Sequence, residues 1–194
     1  MKLEITMNKE QGFTLIELVT AMVIASIILA TAIPNFSGWR TNSQIRAESN
    51  RVHMDLLLAR MTAMKSGRNI VVTFLPGSNS YSILHDNNAN GIADTGEPLS
   101  TRVLENHVQF GFFGPNMTDM DGNTGITETV KMGPSDIVTF DPRGQADLSG
   151  VLFLIHSDDA SSSNDRLRGI SIVQATGSAE LWRYNASLTP IPWE

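Results

Sequence analysis

The chain has 194 residues, a formal net charge of −6 and no cysteine. This length suits one helical anchor and one domain large enough to bury its own core. The negative charge argues against a nucleic-acid surface spread over the whole chain. The absence of cysteine excludes disulfides and thiolate chemistry.

An apolar run over residues 13–33 is the first element of the chain, and Glu17 is its single ionisable residue. A helix of about 20 apolar residues crosses the hydrocarbon core of a bilayer. We therefore predict a membrane-spanning helix over 13–33. An ordinary secretory signal has a shorter apolar segment and is cut after it, and a plain signal anchor leaves Glu17 unexplained.

Glu17 needs a positively charged partner, because a carboxylate inside an apolar helix costs free energy unless it is paired. The sequence has no Lys or Arg between Phe13 and Trp39. If the chain is cut after Gly12, the new amino group of Phe13 in a staggered neighbouring subunit can supply that charge.

The sequence GFTLIEL, which begins at Gly12, resembles the processing site of type IV prepilins and type II secretion pseudopilins. The resemblance implies that a prepilin peptidase removes a leader, residues 1–12, by cutting after Gly12 on the cytoplasmic side. It further implies that Phe13 becomes the methylated N-terminus and that Glu17 guides subunit docking during assembly.

The helix is predicted to continue over residues 34–66 as an amphipathic segment, with a kink at Pro34. Apolar residues recur there at helical spacing. They are Ile45, Val52, Leu56, Ala59 and Ala63. Ser66 and Gly67 are predicted to end the helix, since glycine tolerates the left-handed conformation that closes one.

The rest of the chain, residues 67–194, is predicted to form an antiparallel β domain. The predicted strands are 68–75, 81–85, 101–104, 108–113, 136–140, 150–156, 167–175 and 179–184. Two polar intervals, 114–134 and 157–165, are predicted to be mobile surface loops. The expected fold class is α+β, with the long N-terminal helix packed on antiparallel sheet.

Three segments of the β domain, 137–144, 150–154 and 168–177, resemble the C-terminal half of the GspH/FimT group of minor pseudopilins and minor pilins. The resemblance implies a single-pass protein of the bacterial inner membrane with a periplasmic C-terminal domain. It implies a structural subunit of a type II secretion pseudopilus, or alternatively a minor type IV pilin involved in pilus assembly or DNA uptake. The implied partners are other pilin-like subunits and the inner-membrane assembly platform.

Residues 86–97 match the calcium-loop pattern D-x-[DN]-x-[DN]-G-x5-E at every constrained position. The expected oxygen ligands are Asp86, Asn88, Asn90, Ile92 through its carbonyl, Asp94 and Glu97. The flanking segments are predicted strands, which does not fit an EF-hand. The pattern therefore leaves two interpretations, a weak calcium site and a polar hairpin loop in which Asn and Asp cap their own backbone.

A second candidate site is a set of arginines near the C-terminus, Arg166, Arg168 and Arg183. Proteins similar to FimT that take part in DNA uptake carry basic residues in this region, often as a Gly-Arg-Val-Arg turn. The matching turn here is Gly177-Ser178-Ala179-Glu180, with an acidic residue in place of a base. Because DNA affinity needs several uncompensated phosphate contacts, nucleic-acid binding is the minority interpretation.

Catalysis has little support in the sequence. Its histidines, His53, His85, His107 and His156, are scattered singly and belong to no H-E-x-x-H motif. Trp182 and Trp193 are expected to pack in the core or at an edge, and Trp193 is a candidate for a subunit contact. We expect a protein that is not an enzyme. A membrane-anchored enzyme would need a concave cluster of titratable groups.

Overall fold

The structure is a computed structural model that describes residues 12–194, except for the side chains of 31–35. One helix, α1 Leu15–Ser66, precedes all of the strands. Within the described residues the strands are β1 Asn69–Leu75, β2 Ser80–Asp86, β3 Leu99–Val103, β4 Val108–Phe110, β5 Val130–Lys131, β6 Ile137–Phe140, β7 Gly150–His156, β8 Arg168–Val173 and β9 Ser178–Arg183. The α+β fold class predicted from the sequence is confirmed.

The strands form two antiparallel sheets. The first sheet has the order β3-β2-β1-β6, and the second has the order β4-β7-β8-β9, with β5 also paired to β7. Every segment predicted as a strand contains one, although 108–113 and 167–175 were predicted too long. The prediction that 114–134 is entirely loop is wrong, since β5 lies inside it.

The apolar stripe predicted on the second half of α1 is confirmed as its core-facing side. Each residue of that stripe is at most 3% exposed and belongs to the main apolar core. The same core contains residues of both sheets, for example Phe74 of β1 and Leu154 of β7. The 3.6-residue repeat therefore identified the face of α1 that packs on the β domain.

The predicted end of α1 is also confirmed. Gly67 has a φ of +68°, and its N–H donates to the Ala63 carbonyl at 3.0 Å. The helix continues through Pro34, as predicted. The kink predicted there stays a prediction.

The chain divides into two compact units, Met1–Arg40 and Thr41–Glu194. Over the part of the chain whose placement is described, no helix meets the length and apolarity needed to cross a membrane. The membrane-spanning segment predicted over 13–33 therefore stays a prediction, as do the boundaries predicted for the leader and between the two helix segments. The leader itself lies outside the described residues, apart from Gly12.

Candidate assembly site

Glu17 lies in the first turn of α1. The N–H of Glu17 donates to Thr14 Oγ1 at 3.3 Å, so Thr14 caps the helix and Glu17 is the third helical residue. Thr-x-x-Glu is the spacing of a capping box. The observed bond is the Thr14 half of that motif, a cap that the sequence analysis did not predict although the spacing indicates it.

The Glu17 side chain is exposed and forms no ion pair within residues 12–194. Phe13, next to the predicted cleavage point, is 85% exposed. A carboxylate and a candidate N-terminus thus lie one helical turn apart, and both are open to a second molecule.

Apolar side chains in the first part of α1 point outward on all sides. Leu15, Ile16, Leu18, Met22, Ile24 and Leu29 are each more than half exposed. A helix that is apolar all round is stable only when lipid or other apolar helices surround it. This segment therefore requires a partner that a single subunit does not provide.

A second exposed apolar stripe follows the outer face of α1 within the unit Thr41–Glu194. Met54, Leu58, Met61 and Met64 are 62%, 54%, 55% and 42% exposed and recur at helical spacing. We call these four residues the outer stripe. It was not predicted from the sequence, although its residues recur at helical spacing as those of the core-facing stripe do.

Polar contacts fix the second half of α1 to the edge of the first sheet. Arg51 pairs with Glu48 at 2.7 Å and with Glu105 at 3.3 Å, and Tyr81 donates a hydrogen bond to Asp55 at 2.6 Å. Glu48 is 3% exposed, and burial raises the pKa of its carboxyl above the ordinary value. These contacts set the rotation of the helix, so the outer stripe faces away from the sheets.

The residues predicted to bind calcium converge in the β2–β3 connection. Asn88 Nδ2 and Asn90 Nδ2 both lie 2.7 Å from Asp94 Oδ2, and Asp86 accepts hydrogen bonds from the N–H groups of Asn90 and Gly91. Glu97 Oε1 accepts the N–H of Asn87 at 2.7 Å, which closes the loop. These hydrogen bonds match the polar hairpin interpretation.

Hydrogen bonds from Asn88 and Asn90 lower the pKa of Asp94, so its carboxylate is held in the charged form that a cation needs. No group of three or more His, Cys, Asp or Glu side chains in the described part of the chain is placed to hold a metal. A calcium ion here would therefore depend on the amide oxygens of Asn88 and Asn90. Those oxygens already accept the N–H groups of Asn90 and Ile92, at 3.1 and 2.8 Å, so a cation would have to replace these hydrogen bonds. The Ile92 carbonyl is the remaining predicted ligand.

Calcium binding at this loop stays a prediction with a direct test. Millimolar calcium is expected to raise the melting temperature of the full chain in mild detergent, with a Kd of about 10⁻⁴ to 10⁻³ M. Asp86→Ala should remove the effect, and Asp165→Ala, which removes an exposed acid in another loop, should retain it. A melting temperature that does not change with calcium would leave the hairpin interpretation.

The three arginines predicted as a nucleic-acid site do not present three free charges. Arg166 donates to both carboxylate oxygens of Asp159, which is almost fully buried. Arg183 pairs with Glu194 at 3.4 Å, and Arg168 is only 9% exposed. The free positive charge available to a phosphate backbone is therefore small. Nucleic-acid binding stays a prediction of the alternative function.

Two of the histidines described as single are neighbours. The rings of His107 and His156 are 6.0 Å apart between centroids, and His156 is 3% exposed. The description of the histidines as scattered is therefore wrong for this pair, because β4 and β7 pair across a long stretch of sequence. Trp193 is 5% exposed and its Nε1 donates to the Thr118 carbonyl at 2.7 Å, so its core role is confirmed.

An open cleft of about 480 Å³ beside residues 141–147 contains Asp141, Arg143 and Asp147. Asp141 accepts the N–H of Gln145 and pairs with Arg143 at 2.9 Å, and these contacts lower the pKa of its carboxyl. A carboxylate held in this way stabilises a turn, and it lacks the raised pKa expected of a general acid.

Comparison with known families agrees with the N-terminal motif and the fold. Residues 7–33 match the prokaryotic N-terminal methylation motif, and residues 48–177 match the family described as type II transport protein GspH.

Two relatives match part of the chain. Prepilin peptidase-dependent protein A of Clostridium perfringens is 31% identical over 103 residues, which cover 50% of this chain and 69% of that protein. A fimbrial protein of Pseudomonas aeruginosa is 32% identical over 77 residues, which cover 40% of this chain and 49% of that protein.

Two solved structures are similar in fold. The minor pseudopilin EpsH from the type 2 secretion system of Vibrio cholerae is 14% identical, with a TM-score of 0.47 over 71% of this chain and 95% of that one. The type IV minor pilin FimU of Pseudomonas aeruginosa is 15% identical, with a TM-score of 0.48 over 72% of this chain and 88% of that one.

A methylation motif at the start of a long helix that packs on antiparallel sheets defines the class of pilin-like proteins. Within that class, the chain belongs to the type II transport protein GspH family, whose match covers more than half of it. The family is one of structural subunits, and membership implies assembly with other pilin-like subunits into a membrane-anchored filament.

Proposed function

We propose that this protein is a minor pseudopilin, a structural and non-enzymatic subunit at or near the tip of a type II secretion pseudopilus. There it supports filament initiation and protein export. The observation that carries this proposal is the uninterrupted helix α1, which joins the N-terminal methylation motif, residues 7–33, to the GspH domain, residues 48–177.

The proposed mechanism begins in the inner membrane, where residues 13–33 hold the subunit with its β domain in the periplasm. A prepilin peptidase cuts after Gly12, and the amino group of Phe13 is methylated. The inner-membrane assembly platform then moves the subunit into the filament. The apolar side chains of the first helical segment exchange lipid for the helices of neighbouring subunits.

During this exchange Glu17 sets the axial position of the subunit relative to its neighbour. Its carboxylate has no ionic partner among the described residues of its own chain, so the amino group of Phe13 in a neighbour can pair with it. In an apolar surrounding such a pair is strong, and an unpaired carboxylate is costly. The correct stagger between subunits is therefore the arrangement of lowest free energy.

The outer stripe gives the unit Thr41–Glu194 an apolar contact surface of its own. Methionine side chains are unbranched and adapt to irregular partners, which suits contact with subunits of different sequence. A minor subunit meets neighbours that are not copies of itself, so an adaptable surface fits the proposed position in the filament.

The second candidate function is that of a minor type IV pilin. The 32% identity to a fimbrial protein over 77 residues favours it. Both functions require the same leader, helix and domain. They differ in the assembly that the subunit joins, a secretion pseudopilus or a type IV pilus.

Removal of the gene from its native host separates the two functions. Loss of export of type II cargo with normal pili is expected from the proposed function, and the intact gene should restore export. Loss of surface pili with normal export would contradict the proposal and favour the minor pilin.

A further inference from the structure

Arg168, the first residue of β8, is a buried cation without a partner. It is 9% exposed, and its Nη1 atom is buried with no hydrogen-bond acceptor. No ion pair with Arg168 occurs among the described residues. Because an unpaired buried charge is strongly destabilising, a protein that retains one needs it for a ligand or a partner.

Arg183 lies opposite Arg168 in the sheet, and the charge of Arg46 on α1 acts on Arg168 as well. Arg183 of β9 and Leu154 of β7 are the residues directly opposite Arg168 in the neighbouring strands. The Leu154 side chain belongs to the core that packs against α1. Residues opposite each other in antiparallel strands point to the same face, and like charges in such a pair repel. Arg46 follows the buried Ile45 on α1, the helix that covers this face.

The charges around Arg168 are mostly positive. Burial lowers the pKa of Arg168, the nearby charges of Arg183 and Arg46 lower it further, and Glu194 alone acts in the opposite direction. An arginine guanidinium nevertheless stays protonated in proteins. The positive charges of Arg183 and Arg46 therefore add to that of Arg168, and one carboxylate compensates them.

We propose that Arg168, together with Arg46 and Arg183, forms a binding site for a single carboxylate group presented by a neighbouring protein subunit. Arg46 and Arg183 are exposed, so the carboxylate approaches from their side and meets Arg168 through guanidinium nitrogens other than Nη1, which is closed to solvent. A guanidinium presents parallel N–H groups that match the two oxygens of a carboxylate. Binding supplies the acceptor that the Arg168 guanidinium lacks.

A single carboxylate fits the surroundings better than a nucleic acid does. Arg166, the next arginine along the chain, is already paired with Asp159, and the chain as a whole carries a charge of −6. A polyanion needs a track of several uncompensated cations, whereas one carboxylate needs only this cluster. The inference that a neighbouring subunit supplies the carboxylate rests on the proposed filament function. The inference that a carboxylate site exists does not.

Acetate titration of the full chain in non-ionic detergent tests the site. At constant ionic strength, acetate in place of chloride is expected to raise the melting temperature saturably. Arg168→Met should remove this response and, without acetate, raise the melting temperature by about 2 to 4 °C, since an unpaired buried charge is lost. If Arg168 served only to stabilise the fold, Arg168→Met would lower the melting temperature instead.

Two exposed arginines provide a matched pair of further variants. Arg183→Gln should weaken acetate binding roughly tenfold or more, because a charged hydrogen-bond donor is lost without disturbing the core. Arg143→Gln removes an exposed arginine from the turn at Asp141 and should leave acetate binding unchanged. This pair keeps the test decisive even if Arg168→Met does not fold.

An equal response to acetate in wild type and Arg183→Gln would overturn the proposal, as would an equal effect of chloride and acetate. Retention of a short DNA duplex that Arg168→Met abolishes would also overturn it, in favour of a polyanion site. These outcomes are measured on the isolated protein, so failure of the site leaves the filament function untouched. A normal acetate response together with unimpaired export after gene removal would instead contradict the proposed function alone.

Discussion

Glu17→Ala is expected to give a protein that folds and reaches the membrane but is almost absent from the filament. In the filament the Glu17 carboxylate is proposed to pair with the amino group of Phe13 in a neighbouring subunit, and alanine offers that amine no acceptor. A charged group left unpaired in an apolar helix bundle costs about 2.5 to 3.5 kcal/mol. The measurement is the amount of the protein in sheared filaments relative to the membrane fraction, by immunoblot in the native host.

The capping box of α1 supplies the controls for this result. Glu17→Gln removes the charge but keeps a side chain suited to the capping position, whereas Thr14→Ala removes the cap that accepts the N–H of Glu17 and keeps the charge. If the charge is what matters, Gln fails as Ala does, and Thr14→Ala assembles. Normal incorporation of Glu17→Ala would count against any role for the carboxylate in assembly.

Gly177→Ala is expected to lower the free energy of unfolding of the β domain more than Gly67→Ala does. Gly177 has a φ of +60°, and a Cβ there would lie 2.2 Å from the backbone oxygen of Gly144. Left-handed strain and the clash with rigid backbone together should cost roughly 2 to 4 kcal/mol.

Gly67→Ala is the matched control, since Gly67 has a similar φ of +68° but nothing within 4 Å of its Cβ position. Only the left-handed penalty of about 1 to 2 kcal/mol applies there. Thermal unfolding followed by circular dichroism should therefore show a clearly larger fall in melting temperature for Gly177→Ala. Equal falls for the two variants would mean that the turn at Gly177 does not pack against Gly144.

The helix and its core-facing residues could be predicted because their signals are local. Ile45, Val52 and Leu56 repeat with the period of a helix, and Gly67 closes it with a conformation that glycine adopts readily. The residues of the calcium-like loop contact one another because they are close in sequence, as Asn90 and Asp94 do, but calcium binding there stays a prediction.

Features that depend on long-range pairing could not be read from the sequence. The two-residue strand β5 exists because Val130 pairs with Leu152 of β7, and nothing within the polar interval 114–134 indicates that partner. The His107–His156 pair likewise results from the β4–β7 register.

The arginine set shows the same limit. Arg166 was grouped with Arg168 and Arg183 because the FimT resemblance points to basic residues of the C-terminal region, yet Arg166 is paired with Asp159. Arg168 lies opposite Arg183 in the sheet and is only 9% exposed. The sequence thus predicted a basic surface, whereas the structure leaves little of Arg168 accessible.

Intact-mass and N-terminal sequencing by mass spectrometry of the protein isolated from its native host test the filament account most directly. The account predicts a mature chain that begins at Phe13, with one methyl group on its amine and residues 1–12 absent. A chain that retains Met1, or one whose first residue lies beyond Ile33, would contradict it.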